Sequence, residues 1–244
     1  MITLRRDTER HHRGYRKQEV WLTFYPQDRT DALADGFGAL TTFNEIRFPP
    51  GGGTAAQPRD EAEVITYVHK GTLAHEDSTG KSGVIQAGEF QHMTNGHRIR
   101  HKDTNPSRTD WAHVFRISLH PSKVGLDCAH EQRRFTAAQR RNVLCVVASP
   151  DGRKGSLRIH QDALTYSSIL DPGHRLVHEL LPGRSVWLHI MYGEATLNDI
   201  VLTQGDGVGI AIEPAVSLTI QENTELLLVD VGPAPSSFGS GRDS

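Results

Sequence analysis

Cysteine is nearly absent. Two residues in 244, Cys128 and Cys145, are too few for the disulfide framework that staples small secreted domains. Long apolar runs are absent too. No stretch approaches the roughly 20 apolar residues of a membrane helix. The opening Met-Ile-Thr-Leu-Arg-Arg-Asp lacks the hydrophobic segment of a signal peptide. A basic excess is also missing. The chain has 27 Lys and Arg against 29 Asp and Glu, for a formal net charge of −2, which argues against a nucleic-acid or anionic-membrane partner. Among catalytic motifs there is no Gly-x-Ser-x-Gly, no phosphate loop and no Cys-x-x-Cys. The run Gly51-Gly52-Gly53 does not lead into a helix. These absences point to a cytoplasmic chain with reduced thiols. Cys145, inside the apolar run Val143–Val147, is expected to be a core thiol.

What is present is β-structure. Val64–His69 is rich in β-branched and aromatic residues, and His113–His120 alternates apolar and polar positions with period two up to Pro121. Further strands are expected at Trp21–Tyr25, Gly36–Phe43, Thr72–Asp77, Gly83–Ile85 and Phe90–Met93. A polar stretch from about Pro121 to Asp151 reads as a connector. Within it, Thr136-Ala137-Ala138-Gln139 fits a capping box and predicts a short helix. One helical turn is expected near Asp7-Thr8-Glu9. A second set of strands runs from Leu157 to Val231, including Ser185–Tyr192 and Glu225–Val231. Both sets share the order strand, Gly turn, strand, Gly-acid turn, strand, so two similar all-β units are expected. The Pro-, Ser- and Gly-rich tail has too few apolar residues to pack and is expected to be disordered.

Several stretches together resemble the pirin family of bicupins, which includes quercetin 2,3-dioxygenase-like members. They are Trp21-Leu22-Thr23-Phe24, Gly36-Phe37-Gly38-Ala39-Leu40, Glu63–Val68, His75-Glu76-Asp77-Ser78, Ala87–Met93, Ile99-Arg100-His101, Glu131–Phe135, Ser149-Pro150-Asp151-Gly152 and Gly155–Asp162. The resemblance spans nearly the whole chain. It implies two jelly-roll-type β-barrels packed face to face, joined by a short connecting helix, with a metal site in the first barrel only. On this reading residues 1–130 form the N-terminal barrel, 131–155 the connector, 156–232 the C-terminal barrel and 233–244 the tail.

The resemblance also implies a metal, usually iron, held by three His and one Glu. At the corresponding places this chain reads Gln57, Arg59, His101 and Asp103. One His is kept, and the acid is one methylene shorter. Arg59 cannot ligate, because its guanidinium stays protonated. Arg98 stands where the family has glycine. Glu63 matches the family's non-ligating acid. Two readings follow. In the first, Arg59 replaces the metal among Asp103, Glu63 and Glu61, or joins Arg98 in binding an anion; no cofactor is then needed, and the protein is a non-catalytic small-molecule-binding or regulatory bicupin. In the second, an Fe- or Zn-dependent dioxygenase of quercetinase type uses a rearranged set around His101 and Asp103, with His97 or Gln57, or with His75, His92 or His113 from neighbouring strands. The second-half histidines His160, His174, His178 and His189 show no ligand spacing.

Overall fold

The structure, a computed structural model, describes residues 1–58, 62–94, 99–123, 125–126 and 129–233, with Gln57 and Pro58 in backbone only. It contains two halves, each built from a seven-stranded and a four-stranded sheet. In the N-terminal half the large sheet runs in the order His130–Arg134, Glu89–Thr94, Glu63–Lys70, Ala112–Leu119, Leu40–Phe48, Gln18–Leu22, His11–Tyr15. Opposite it lie Gln57–Pro58, Arg100–Thr104, Thr72–Asp77 and Ser82–Gln86. The C-terminal half repeats the plan. Its large sheet centres on Ser185–Tyr192 and Thr224–Val231, and its small sheet holds Arg175–Glu179, Ala215–Ile220, Glu194–Leu197 and Ile200–Thr203. These are the two cupin-type jelly rolls that the strand pattern and the resemblance lead one to expect.

Side chains alternate across a strand, so each large sheet has two faces. One face of each meets the other half. There Phe43, Ile65, Tyr67, Phe90, Phe115 and Ile117 pack against Val147, Trp187, Met191, Leu227 and Val229 in one apolar cluster. Trp187 is fully buried, and each large side chain of this kind contributes about 1.5–3 kcal/mol relative to exposure. The interface is therefore a shared core that fixes the halves against each other. The second faces line the interiors of the two jelly rolls.

Local differences from the expected strands have physical causes. The strand near Trp21 covers Gln18–Leu22 and stops short of Tyr25, because Phe24 leaves the sheet to pack edge-on against Trp187 at 4.9 Å between ring centroids. The strand expected at Gly36–Phe43 is Leu40–Phe48. Gly36 (φ 110°) and Gly38 (φ 60°) take left-handed conformations and form the turn before it, where Phe37 and Leu40 exchange backbone hydrogen bonds. The expected helix is found at Ala137–Arg140, with the Thr136 hydroxyl accepting from Gln139 N. The expected turn near Asp7 is a 3-10 helix, Asp7–Glu9.

Sheet membership crosses the expected divisions of the chain. The N-terminal strand Ile2–Arg5 pairs with Gly207–Ala211 in the C-terminal half. The strand His130–Arg134 closes the N-terminal large sheet. Cys145–Ser149, read from sequence as connector, pairs with Ala163–Leu170 in the C-terminal sheet. Cys145 packs against the shared core, and burial pushes its thiol pKa up, as expected of an inert thiol. Residues 234–244 and Cys128 lie outside the described residues.

Candidate functional site in the N-terminal interior

Residues directly opposite each other in a ladder share a face, so the pairing register shows what each interior holds. Across the C-terminal large sheet the row Leu4, Val208, Leu188, Leu228, Tyr166, Val146 lies in register. It is apolar, and most of it packs into a continuous interior cluster. Across the N-terminal large sheet the row Asn44, Arg116, Thr66, Gln91, Gln132 lies in register. It is polar throughout these five strands, and only beyond Asn44 does the ladder reach the apolar Leu22. The apolar cluster of this interior, around Phe48, Val68, Leu73, Ile85 and Val114, fills the rest of it. The same fold thus has one packed interior and one that is polar on part of its wall.

Three members of the polar row reach across to the small sheet. Arg116 Nη2 donates to Asp103 Oδ2 at 2.7 Å. Gln91 Nε2 lies 3.2 Å from His75 Nδ1 and 2.8 Å from His130 Nε2. Gln132 Nε2 donates to the Val84 carbonyl at 2.9 Å. On the small sheet His101 is opposite Asp77, and Asp103 is opposite His75. Gly83, opposite His75, leaves room for its ring: a Cβ there would sit 2.5 Å from His75 Cε1.

Beside these bridges is a cavity of about 430 Å³, lined by His75, Asp77, Met93, Ile99, His101 and His130 together with Lys81, Ser82, Thr94 and Ala129. That is an ordinary size for a small-molecule site. With the Gln91 amide nitrogen donating to both, His75 and His130 each present a lone pair to it and carry their proton on the other nitrogen. Burial lowers the His130 pKa, in keeping with a neutral ring. Burial pushes the Asp77 carboxyl up, but hydrogen bonds from Thr79 and Lys81 outweigh it and hold the group below its usual value. The wall therefore offers imidazoles, one carboxylate, a lysine and an apolar flank of Met93 and Ile99.

Only some of the residues expected at the site lie among those described. His101 and Asp103 are both buried and face the interior. Gln57 pairs with His101 through its backbone. Arg59, Glu61, His97 and Arg98 lie outside the described residues. Glu63 belongs to a different place. Its buried carboxylate is turned to the C-terminal half, where His160 N, His160 Nδ1 and Gln161 N lie 2.7, 2.9 and 2.6 Å away. It joins the halves and is not a pocket residue. Arg59, expected beside Asp103, lies outside the described residues; among those described, Arg116 supplies a cation to Asp103. Of the other histidines named with His101, His92 lies 3.3 Å from Glu63, His113 contacts Glu45 at 2.9 Å and His75 contacts Gln91. Among the described residues no group of three or more His, Cys, Asp or Glu is arranged to hold a metal ion.

Arg116, Gln91 and His130 were not singled out from the sequence. Arg116 carried no signal, because the alternation of Phe115, Ile117 and Leu119 with Arg116 and Ser118 reads as a strand whose polar face is turned to water. His130 carried none, since its strand lies in a polar stretch that reads as connector.

Two cupin-type halves with a site in the first define a bicupin. The chain belongs to the pirin family. The family model described as Pirin matches residues 6–118, and the model described as Quercetinase C-terminal cupin domain matches residues 146–231. A protein named quercetin 2,3-dioxygenase from Escherichia coli (strain K12) is 37% identical over 233 residues, covering 96% of this chain and 100% of that protein. The crystal structure of YhhW from Escherichia coli superimposes with a TM-score of 0.90 at 36% identity, covering 97% of this chain and 100% of the other. The bacterial pirin YhhW in complex with nickel(II), also from Escherichia coli, gives 0.89 at 36% identity, covering 96% and 100%.

Proposed function

We propose that this pirin-family bicupin binds a small molecule in its N-terminal cavity without catalysing its oxidation. The observation that carries this reading is the Arg116–Asp103 ion pair. Asp103 stands where the family resemblance implies the metal-binding carboxylate, and here a guanidinium donates to it inside the protein. Both side chains are mostly buried, a setting in which such charge-assisted bonds are strong and separation is costly. The residue types at 57 and 59 support the same reading. Gln57 offers at best a weak amide oxygen, and Arg59 has no lone pair to give. The donors present do not fit the family's three-His, one-carboxylate set.

The second reading, a metal-dependent dioxygenase, is favoured by the 37% identical relative named quercetin 2,3-dioxygenase and by the nickel complex of YhhW. The two readings separate in one assay. With quercetin in air and added Fe²⁺ or Ni²⁺, the first expects the flavonol absorbance to persist over many multiples of the enzyme concentration. Metal-dependent loss of that absorbance, abolished by His101→Ala, would establish the second.

A further inference from the structure

We propose that the cleft where the two halves meet, away from the N-terminal cavity, binds a planar hydroxylated aromatic carboxylate. This second site goes beyond the function proposed above. The cleft encloses about 500 Å³, room for a ligand of one or two rings. Its rim carries two large aromatic side chains left in water: Trp111 (51% exposed) from the N-terminal half and Tyr192 (55% exposed) from the C-terminal half. Aromatic rings at a cleft mouth favour a flat partner that stacks on them and removes their apolar surface from water.

The inner wall is built for polar recognition. His69 and His113 meet edge to face, with ring centroids 5.1 Å apart. Each is turned to a buried carboxylate: His113 Nε2 lies 2.9 Å from Glu45 Oε1, and His69 Nδ1 lies 3.3 Å from Glu225 Oε2. A carboxylate only accepts, so His113 Nε2 carries a proton. Burial lowers the His113 pKa, and in the neutral ring Nδ1 is left as an acceptor, which suits a ligand hydroxyl. Both carboxylates have their charge matched from behind, Glu45 by Arg10 at 2.7 Å and Glu225 by Arg140 at 2.7 Å. The remaining charge in the lining is Arg47 and Lys70 against Glu19, an excess of one positive charge that suits a single carboxylate. Arg47 is held in place by Glu45 at 2.9 Å and by the Trp21 ring at 4.8 Å, and its fork retains further donors.

The probe is 4-hydroxybenzoate, titrated calorimetrically into the intact chain, with 4-hydroxybenzyl alcohol as its uncharged analogue. The expected result is saturable binding of one probe per chain, weaker for the alcohol. Trp111→Ala and Tyr192→Ala should each reduce affinity about tenfold; both side chains are exposed, so the fold should tolerate their loss. Lys70→Ala should remove the preference for the acid over the alcohol. Absence of saturable binding would overturn the proposal. So would binding insensitive to Trp111 and Tyr192, or binding lost in His130→Ala, which would place the probe in the N-terminal cavity.

Discussion

Glu63→Ala is expected to lower the unfolding free energy by about 3–5 kcal/mol, the usual cost of deleting one partner of a buried, hydrogen-bonded charge cluster. The Glu63 side chain has no solvent exposure. It accepts from the backbone of His160 and Gln161, lies within hydrogen-bond distance of His160 Nδ1, and has His92 Nε2 at 3.3 Å. Alanine would leave these donors without their acceptor at the junction of the halves. Glu63→Gln should recover only part of the loss, because its NH₂ would face a backbone donor. Chemical denaturation measures both. The effect should also depend on pH. Burial pushes the Glu63 carboxyl up, but the facing His92 and the hydrogen bonds from His160 outweigh this and hold its folded-state pKa below the ordinary value. A depressed carboxyl contributes stability above its unfolded pKa, near 4.3, and loses it as pH falls through the folded value. The wild type should therefore lose stability below about pH 4.5 more steeply than Glu63→Ala. Equal slopes would show that Glu63 is not the linked group.

The second large effect concerns the missing metal donors. Gln57→His, Arg59→His and Asp103→Glu together restore the set implied by the family resemblance around His101, and nickel affinity should rise at least a hundredfold. Even partners that only orient metal ligands change affinity by about 10–100-fold, so supplying ligands should do no less. Removal of a cation at position 59 also removes its repulsion for the metal. Asp103→Glu alone should do little, because the carboxylate still has Arg116 beside it. Titration of nickel into the wild type, the single and the triple variant separates these contributions. No gain in the triple variant would mean that the shape of the cavity, not its donors, governs metal binding.

Much of the fold was legible because cupin strands are short, alternate cleanly and end in glycine turns. Thr72–Asp77 and Ser185–Tyr192 match their expected limits, and the capping box at Thr136 marks its helix. The strands that were not legible are those whose pattern is set by distant partners. Ile2–Arg5 is a strand only because Gly207–Ala211 offers it an edge. His130–Arg134 is polar because it sits at the edge of its sheet, half in solvent. Sequence does not record which remote edge such a segment will find.

The site was legible in its differences from the family and not in its replacements. His101 and Asp103 stand two apart on one strand, so their shared face follows from alternation alone. The expected cation beside Asp103, Arg59, lies outside the described residues, while Arg116 reaches Asp103 from another strand without having been singled out. That pairing depends on how two sheets stack, which no local pattern encodes. Glu63 shows the same limit: its neighbours suggested the metal motif, but its partners lie almost 100 residues away at His160 and Gln161.

Asp103, where the family resemblance implies a metal-binding carboxylate, is paired with Arg116, and the chain should therefore hold no stoichiometric metal. Metal content of the chain, purified without an affinity tag and measured by inductively coupled plasma mass spectrometry, tests it most directly. Iron, nickel and zinc should each lie far below one ion per chain in the wild type. Stoichiometric metal that is retained through dialysis and lost in His101→Ala would contradict it.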